Sequence, residues 1–129
     1  MQKYTVEIND NGTVSWYKEG TDIYHRADGP AIEFADGTKY WLQNGKLHRE
    51  NGPAIEHIDG AKFWYQNDRL HRVDGPAQEF SDGTKYWWIE GVQYTEAEFN
   101  KHMNKDSTYD NKEAIIDGKT YKLSLVDKK

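Results

Sequence analysis

The sequence predicts a mainly β fold: an elongated antiparallel β-meander of stacked hairpin repeats, with a short C-terminal helix and hairpin as cap. Three observations predict it. A block recurs every 23 residues, beginning His25-Arg26-Ala27-Asp28-Gly29-Pro30-Ala31, then His48-Arg49-Glu50-Asn51-Gly52-Pro53-Ala54, then His71-Arg72-Val73-Asp74-Gly75-Pro76-Ala77. Each copy places Asp-Gly or Asn-Gly between aromatic or β-branched runs, where Gly accepts the positive φ of a tight hairpin turn. Trp16, Trp41, Trp64 and Trp87 recur at equivalent places. A fixed period of this size means units that bury their apolar faces against their neighbours.

The elements follow in chain order. A looser first copy runs Ile8-Asn9-Asp10-Asn11-Gly12-Thr13-Val14-Ser15-Trp16-Tyr17, with Gly20 as its second turn and two extra residues before His25. The regular unit then holds Ala31-Ile32-Glu33-Phe34, a turn at Asp36-Gly37, a second extended stretch Lys39-Tyr40-Trp41-Leu42, and a turn at Asn44-Gly45. One repeat therefore reads as one hairpin. Each Pro follows a Gly at the start of the first strand, where its missing N–H costs least. Alternation sets Trp41 on one sheet face and Tyr40 and Leu42 on the other. The last copy has Tyr94-Thr95 where His-Arg would recur, as a terminal, capping repeat would.

The tail carries its own signals. Thr95-Glu96-Ala97-Glu98 reads as a capping box opening a short helix, on which Phe99 and Met103 share a face. Residues 113–125 read as another hairpin, around Asp117-Gly118. The organisation expected is a repeat array over residues 1–94 and a helix-plus-hairpin cap over 95–129, folded onto the last edge of the array.

Composition narrows the function classes. Hydrophobic residues make up only 36% of the 129 residues, offset by five Trp, nine Tyr and four Phe. With no cysteine, disulfides, thiolate nucleophiles and cysteine-bound zinc are out. No apolar run approaches a membrane span and the N-terminus lacks a signal-peptide core, so a soluble, cytoplasmic protein is expected. The net charge of −5 arises wholly in residues 1–94. An acidic array argues against nucleic-acid binding, though it leaves room for a local basic groove.

The segment Asn44-Gly45-Lys46-Leu47-His48, followed by Asp59-Gly60-Ala61-Lys62-Phe63-Trp64, resembles the MORN repeat, whose unit has the same length. The resemblance covers about residues 8–94. It departs where the family's Gly after His is Arg26, Arg49 or Arg72, and where its Y-x-G-x-W strand is Tyr40-Trp41. The H-R-x-D-G-P-A variant is similar to repeat proteins carried as small accessory genes of bacteriophages and bacteria. The resemblance implies an interaction, dimerisation or lipid-contacting scaffold and not a catalyst.

Two kinds of candidate site stand out. The repeated arginines Arg26, Arg49 and Arg72 could form a ladder of anion donors. Alternatively each His bonds a turn backbone and each Arg pairs with an acid such as Asp28, Glu50 or Asp74, and recurrence in every unit favours this structural role. Metal binding by His spaced about 10 Å apart is not expected. The irregular positions Tyr17, Leu42, His57, Tyr65, Gln78 and Trp88 are the candidates for partner binding, because breaks in a repeat are where a function can be grafted. Glu33, Glu56 and Glu79 are spread along the array and not gathered in a cleft, so neither an enzyme nor a cofactor is expected. The leading expectation is a phage-type accessory or counter-defence protein that binds and occludes a host protein. The alternative is a sequestering protein for a small anionic ligand such as a nucleotide. A homodimer through an exposed sheet edge at Tyr4–Ile8 is compatible with either.

Overall fold

The structure, a computed structural model, describes residues 2–105 and 112–123, the side chains of 105, 112–116 and 120–123 excepted. The chain divides into two compact units, Met1–Tyr94 and Thr95–Lys129.

The first unit is built on an antiparallel sheet of nine strands. It contains β1 (Tyr4–Ile8), β2 (Val14–Lys18), β3 (Ile32–Glu33) and β4 (Lys39–Tyr40). Two short hairpin strands, β5 (Leu42–Gln43) and β6 (Lys46–Leu47), come next in the chain, before β7 (Ile55–Glu56) and β8 (Lys62–Phe63). A second such pair, β9 (Tyr65–Gln66) and β10 (Arg69–Leu70), precedes β11 (Gln78–Glu79), β12 (Lys85–Ile89) and β13 (Val92–Tyr94). The sheet order is β1-β2-β3-β4-β7-β8-β11-β12-β13, an open sheet in which each copy lends two strands and the last a third, β13. Within copies Ile32 faces Tyr40 and Ile55 faces Phe63. Between copies Tyr40 faces Ile55 and Phe63 faces Gln78.

One expectation needs correcting. The second extended stretch of a unit is not a single strand, because the ladder breaks at Trp41 and at Trp64. Beyond the break, β5 pairs only with β6 and β9 only with β10. The Trp41 amide still donates to Ala54 of the next copy (2.7 Å), and the Trp64 amide to Ala77 (2.8 Å). The following turn bonds to the preceding small hairpin instead: Gly45 N–H to Tyr24 O, Asp68 N–H to Leu47 O, and Gly91 N–H to Leu70 O. A unit is thus two short hairpins, one in the sheet and one tied to its neighbours by turn amides.

Turn chemistry explains the punctuation. Asn44-Gly45 has φ of 53° and 79°, and Asn67-Asp68 has 49° and 68°, the two positive values of a primed hairpin turn. In the sheet hairpins the acid before Gly closes the turn. Asp36 Oδ1 accepts from the Thr38 amide at 2.8 Å and Asp82 Oδ1 from Thr84 at 2.9 Å. Those amide bonds stabilise the anions and hold both carboxyls below the usual carboxylate range.

The core is thin. Ala31, Ala54 and Ala77 are fully buried, and Ile32, Leu42 and Ile55 nearly so. Trp16, Tyr24, Phe34, Tyr40 and Leu47 pack around the Ala31–Ile32–Leu42 cluster.

In the second unit α1 (Glu96–Lys105) opens with the expected capping box. Thr95 Oγ1 accepts from the Glu98 amide (3.1 Å) while Glu98 Oε1 accepts from the Thr95 amide (2.8 Å). Strands β14 (Lys112–Ile116) and β15 (Lys119–Leu123) pair around Asp117-Gly118, as the sequence suggested. No helix among the described residues is long and apolar enough to cross a membrane.

Candidate functional site

The most regular constellation is an arginine sandwiched between a tryptophan and a glycine, built three times. The Cζ of Arg26 lies 3.8 Å from the Trp16 ring centre, that of Arg49 3.8 Å from Trp41, and that of Arg72 3.9 Å from Trp64. The indole quadrupole attracts the cation, by about 0.5–2 kcal/mol depending on desolvation. Nη1 of each arginine donates to a proline carbonyl: Pro30 at 3.2 Å, Pro53 at 3.0 Å and Pro76 at 3.1 Å. A Cβ added to Gly29, Gly52 or Gly75 would stand 2.7, 3.0 or 2.9 Å from the guanidinium carbon. These three glycines do not have positive φ. They are needed for close approach, not for a turn.

Acids complete the clasp, with one rearrangement. Arg26 pairs with Asp28 at 3.2 Å and Arg72 with Asp74 at 2.8 Å. Arg49 does not take the expected Glu50; it keeps the strand acid Glu56, at 3.2 Å, the counterpart of Glu79 at Arg72 (3.2 Å) and Glu33 at Arg26 (3.7 Å). Glu50 turns to the histidine beside it, with Oε2 2.8 Å from His48 Nε2.

The histidines tie each copy to the next turn. His25 Nδ1 accepts from the Asn44 amide (3.0 Å), His48 Nδ1 from Asn67 (3.2 Å) and His71 Nδ1 from Glu90 (2.9 Å). An accepting Nδ1 carries no hydrogen, so the bond requires the ring hydrogen on Nε2. Burial first, and the charge of Lys18 second, lower the pKa of His25. The recurring His and Arg side chains are therefore occupied by bonds of the chain itself.

The irregular positions fall into separate settings. Leu42 is 8% exposed and belongs to the core cluster, so it offers no contact surface. Tyr17 stacks on Tyr24 at 4.9 Å, and burial raises its pKa. Tyr65 is half-buried and its phenol is likewise pushed up by burial. His57 stands where Phe34 and Phe80 make edge-on ring contacts in the flanking copies, and it pairs with Asp59 at 3.3 Å. Gln78 and Trp88 are brought together, Gln78 Oε1 accepting from Trp88 Nε1 at 2.7 Å. They stand where Ile32 and Leu42 meet in the first regular copy. An indole in that place brings an N–H that needs a partner, and Gln78 supplies the acceptor. That break in the repeat has a packing reason.

An open cleft of about 1050 Å³ lies between the loop of the second copy and that of the third, lined in part by Arg49, Asn51, Trp64 and Arg72. It was not legible as a site from residue types, because no local motif marks it. No protein-family model, curated protein or solved structure matches the chain.

Proposed function

We propose that the protein is a non-enzymatic, repeat-based interaction protein that takes an extended segment of a protein partner along strand β1. The observation that carries this reading is the outer edge of the nine-stranded sheet. β1 pairs with β2 over five residues and ends the sheet order, and Val6 and Ile8 are 44% and 73% exposed. Its only charge is Glu7 and it has no proline, so the strand lacks the usual guards against pairing with another chain. Strand addition draws its affinity from main-chain bonds and its selectivity from alternate side chains.

The resemblance to MORN arrays and to small phage accessory proteins supports a scaffold role. On that resemblance the partner is a host protein, occluded by the docked sheet in the bacterial cytoplasm as host modulation or counter-defence. The test is capture from bacterial lysate with the wild type and with Val6→Lys/Ile8→Lys, whose melting temperature should be unchanged. A stoichiometric bacterial protein retained by the first and lost by the second supports the reading. Equal capture by both overturns it. A wild-type dimer in light scattering that the variant abolishes would make a second copy of the chain the occupant of this edge.

A further inference from the structure

Two departures from the repeat meet in the cleft between the second and third copies. The first is Asn51. In the flanking copies this place is Asp28 and Asp74, whose carboxylates bond the Nε of Arg26 at 3.2 Å and of Arg72 at 2.8 Å. Arg49 keeps its Nη1 bonds to Pro53 and Glu56, but among the described residues its Nε has no hydrogen-bond partner. A side chain only 28% exposed is left with one edge of its guanidinium donors unused.

The second departure is the residue two before each histidine. It is Ile23 before His25 and Val92 at the corresponding place of the last copy, but Lys46 and Arg69 in the middle two. The fold accepts an apolar side chain there, so the cations are not needed to build the turn. Neither forms an ion pair among the described residues. Both line the same cleft as Arg49 and Asn51.

Of the carboxylates lining it, Asp74 pairs with Arg72, Glu50 accepts from His48 Nε2, and Glu90 forms no ion pair among the described residues. Lys46, Arg69 and the open Nε edge of Arg49 thus meet in the cleft, at the place where the flanking copies hold a carboxylate of the chain itself. A planar guanidinium edge presents two parallel N–H donors, the geometry that phosphate oxygens accept in pairs. The two-donor edge with two unpaired cations beside it suits a small oxyanion, and the carboxylates of Glu50 and Glu90 disfavour a long polyanion.

We infer that the cleft binds a small soluble phosphate-bearing anion on the Nε edge of Arg49, with Lys46 and Arg69 supplying further charge and Asn51 an amide donor. The site is independent of strand β1 and of the docking reading. Pyrophosphate is the probe, titrated by calorimetry and by the NMR signal of the Arg49 Nε–H. Saturable binding that moves this signal is expected. Asn51→Asp restores the acid of the flanking copies and Arg69→Val imports the residue of the last copy, so both variants should keep the fold. Each should weaken binding by about tenfold, as expected when a charge-assisted contact is blocked or lost. Val6→Lys/Ile8→Lys should bind pyrophosphate like the wild type, which separates failure here from failure of the docking reading. Absence of wild-type binding, or unchanged affinity in Asn51→Asp at wild-type melting temperature, would overturn the inference. So would retention on phosphatidate vesicles with no response to free pyrophosphate.

Discussion

The guanidinium of Arg49 rests on the backbone of Gly52, so near that a Cβ at Gly52 would lie 3.0 Å from its Cζ. The other face of the same group covers Trp41. This single side chain links Trp41 of one copy to Gly52 of the next, and Gly52 is invariant across the copies because a methyl group would push the guanidinium away.

Gly52→Ala is accordingly expected to destabilise by about 1–2 kcal/mol, the cost of a forced shift in a packed site. Gly52 has no positive φ, so the same substitution in an Arg49→Ala background should be neutral or stabilise by about 0.4–1 kcal/mol through the unfolded chain. Urea denaturation of the four proteins reads this coupling. An equal cost in both backgrounds would locate the glycine's role elsewhere.

Stability should fall as pH drops below about 6.5 because of His25. Burial and Lys18 lower its pKa in the folded chain, and its Nδ1 must stay unprotonated to accept the Asn44 amide. Between the folded and unfolded pKa values the unfolded chain binds more protons. The contribution of His25 is therefore complete above its ordinary pKa and is lost on acidification through the lowered one. Urea midpoints measured from about pH 8 to about pH 5 should show a shallower slope for His25→Gln than for the wild type; identical slopes would contradict the assignment.

Asp68 is a non-glycine residue at φ 68°, and its Oδ1 accepts from the Leu47 amide. Left-handed geometry costs an L-residue about 1–2 kcal/mol, eased at Asp by local bonding. Asp68→Ala keeps the strain and loses the acceptor, whereas Asp68→Gly loses only the acceptor. Denaturation should rank Gly above Ala by about 1 kcal/mol, and the reverse order would refute the strain argument.

Thr95→Ala removes the acceptor of the Glu98 amide. A lost N-cap costs about 1 kcal/mol, confined to the second unit. Hydrogen exchange at Glu98 and Phe99 should quicken while the amides of Trp41 and Trp64 keep their protection.

Much of this fold was legible because Gly, Pro and the Asp-Gly and Asn-Gly pairs impose backbone geometry locally. The buried rows Ala31, Ala54, Ala77 and Ile32, Ile55 recur with the period. The break at Trp41 was not legible, since period-2 alternation reads the same whether or not the ladder continues on both sides. Nor was the role of Gly29, because a glycine required by a neighbour's approach looks in sequence like one required by φ. Asn51 was visible as a substitution. Its meaning depended on knowing that Asp28 and Asp74 occupy the Nε edge of an arginine, a contact fixed by side-chain direction and not by spacing.

The repeated arginines brace the array by stacking on the repeated tryptophans. A double-mutant cycle of Arg49→Met and Trp41→Leu, read by urea denaturation, tests it most directly, because Met keeps much of the apolar stem while removing the cation. The stacking geometry predicts a coupling energy of about 1–2 kcal/mol. Additive effects, with coupling indistinguishable from zero, would contradict it and return the arginines to the role of free surface donors.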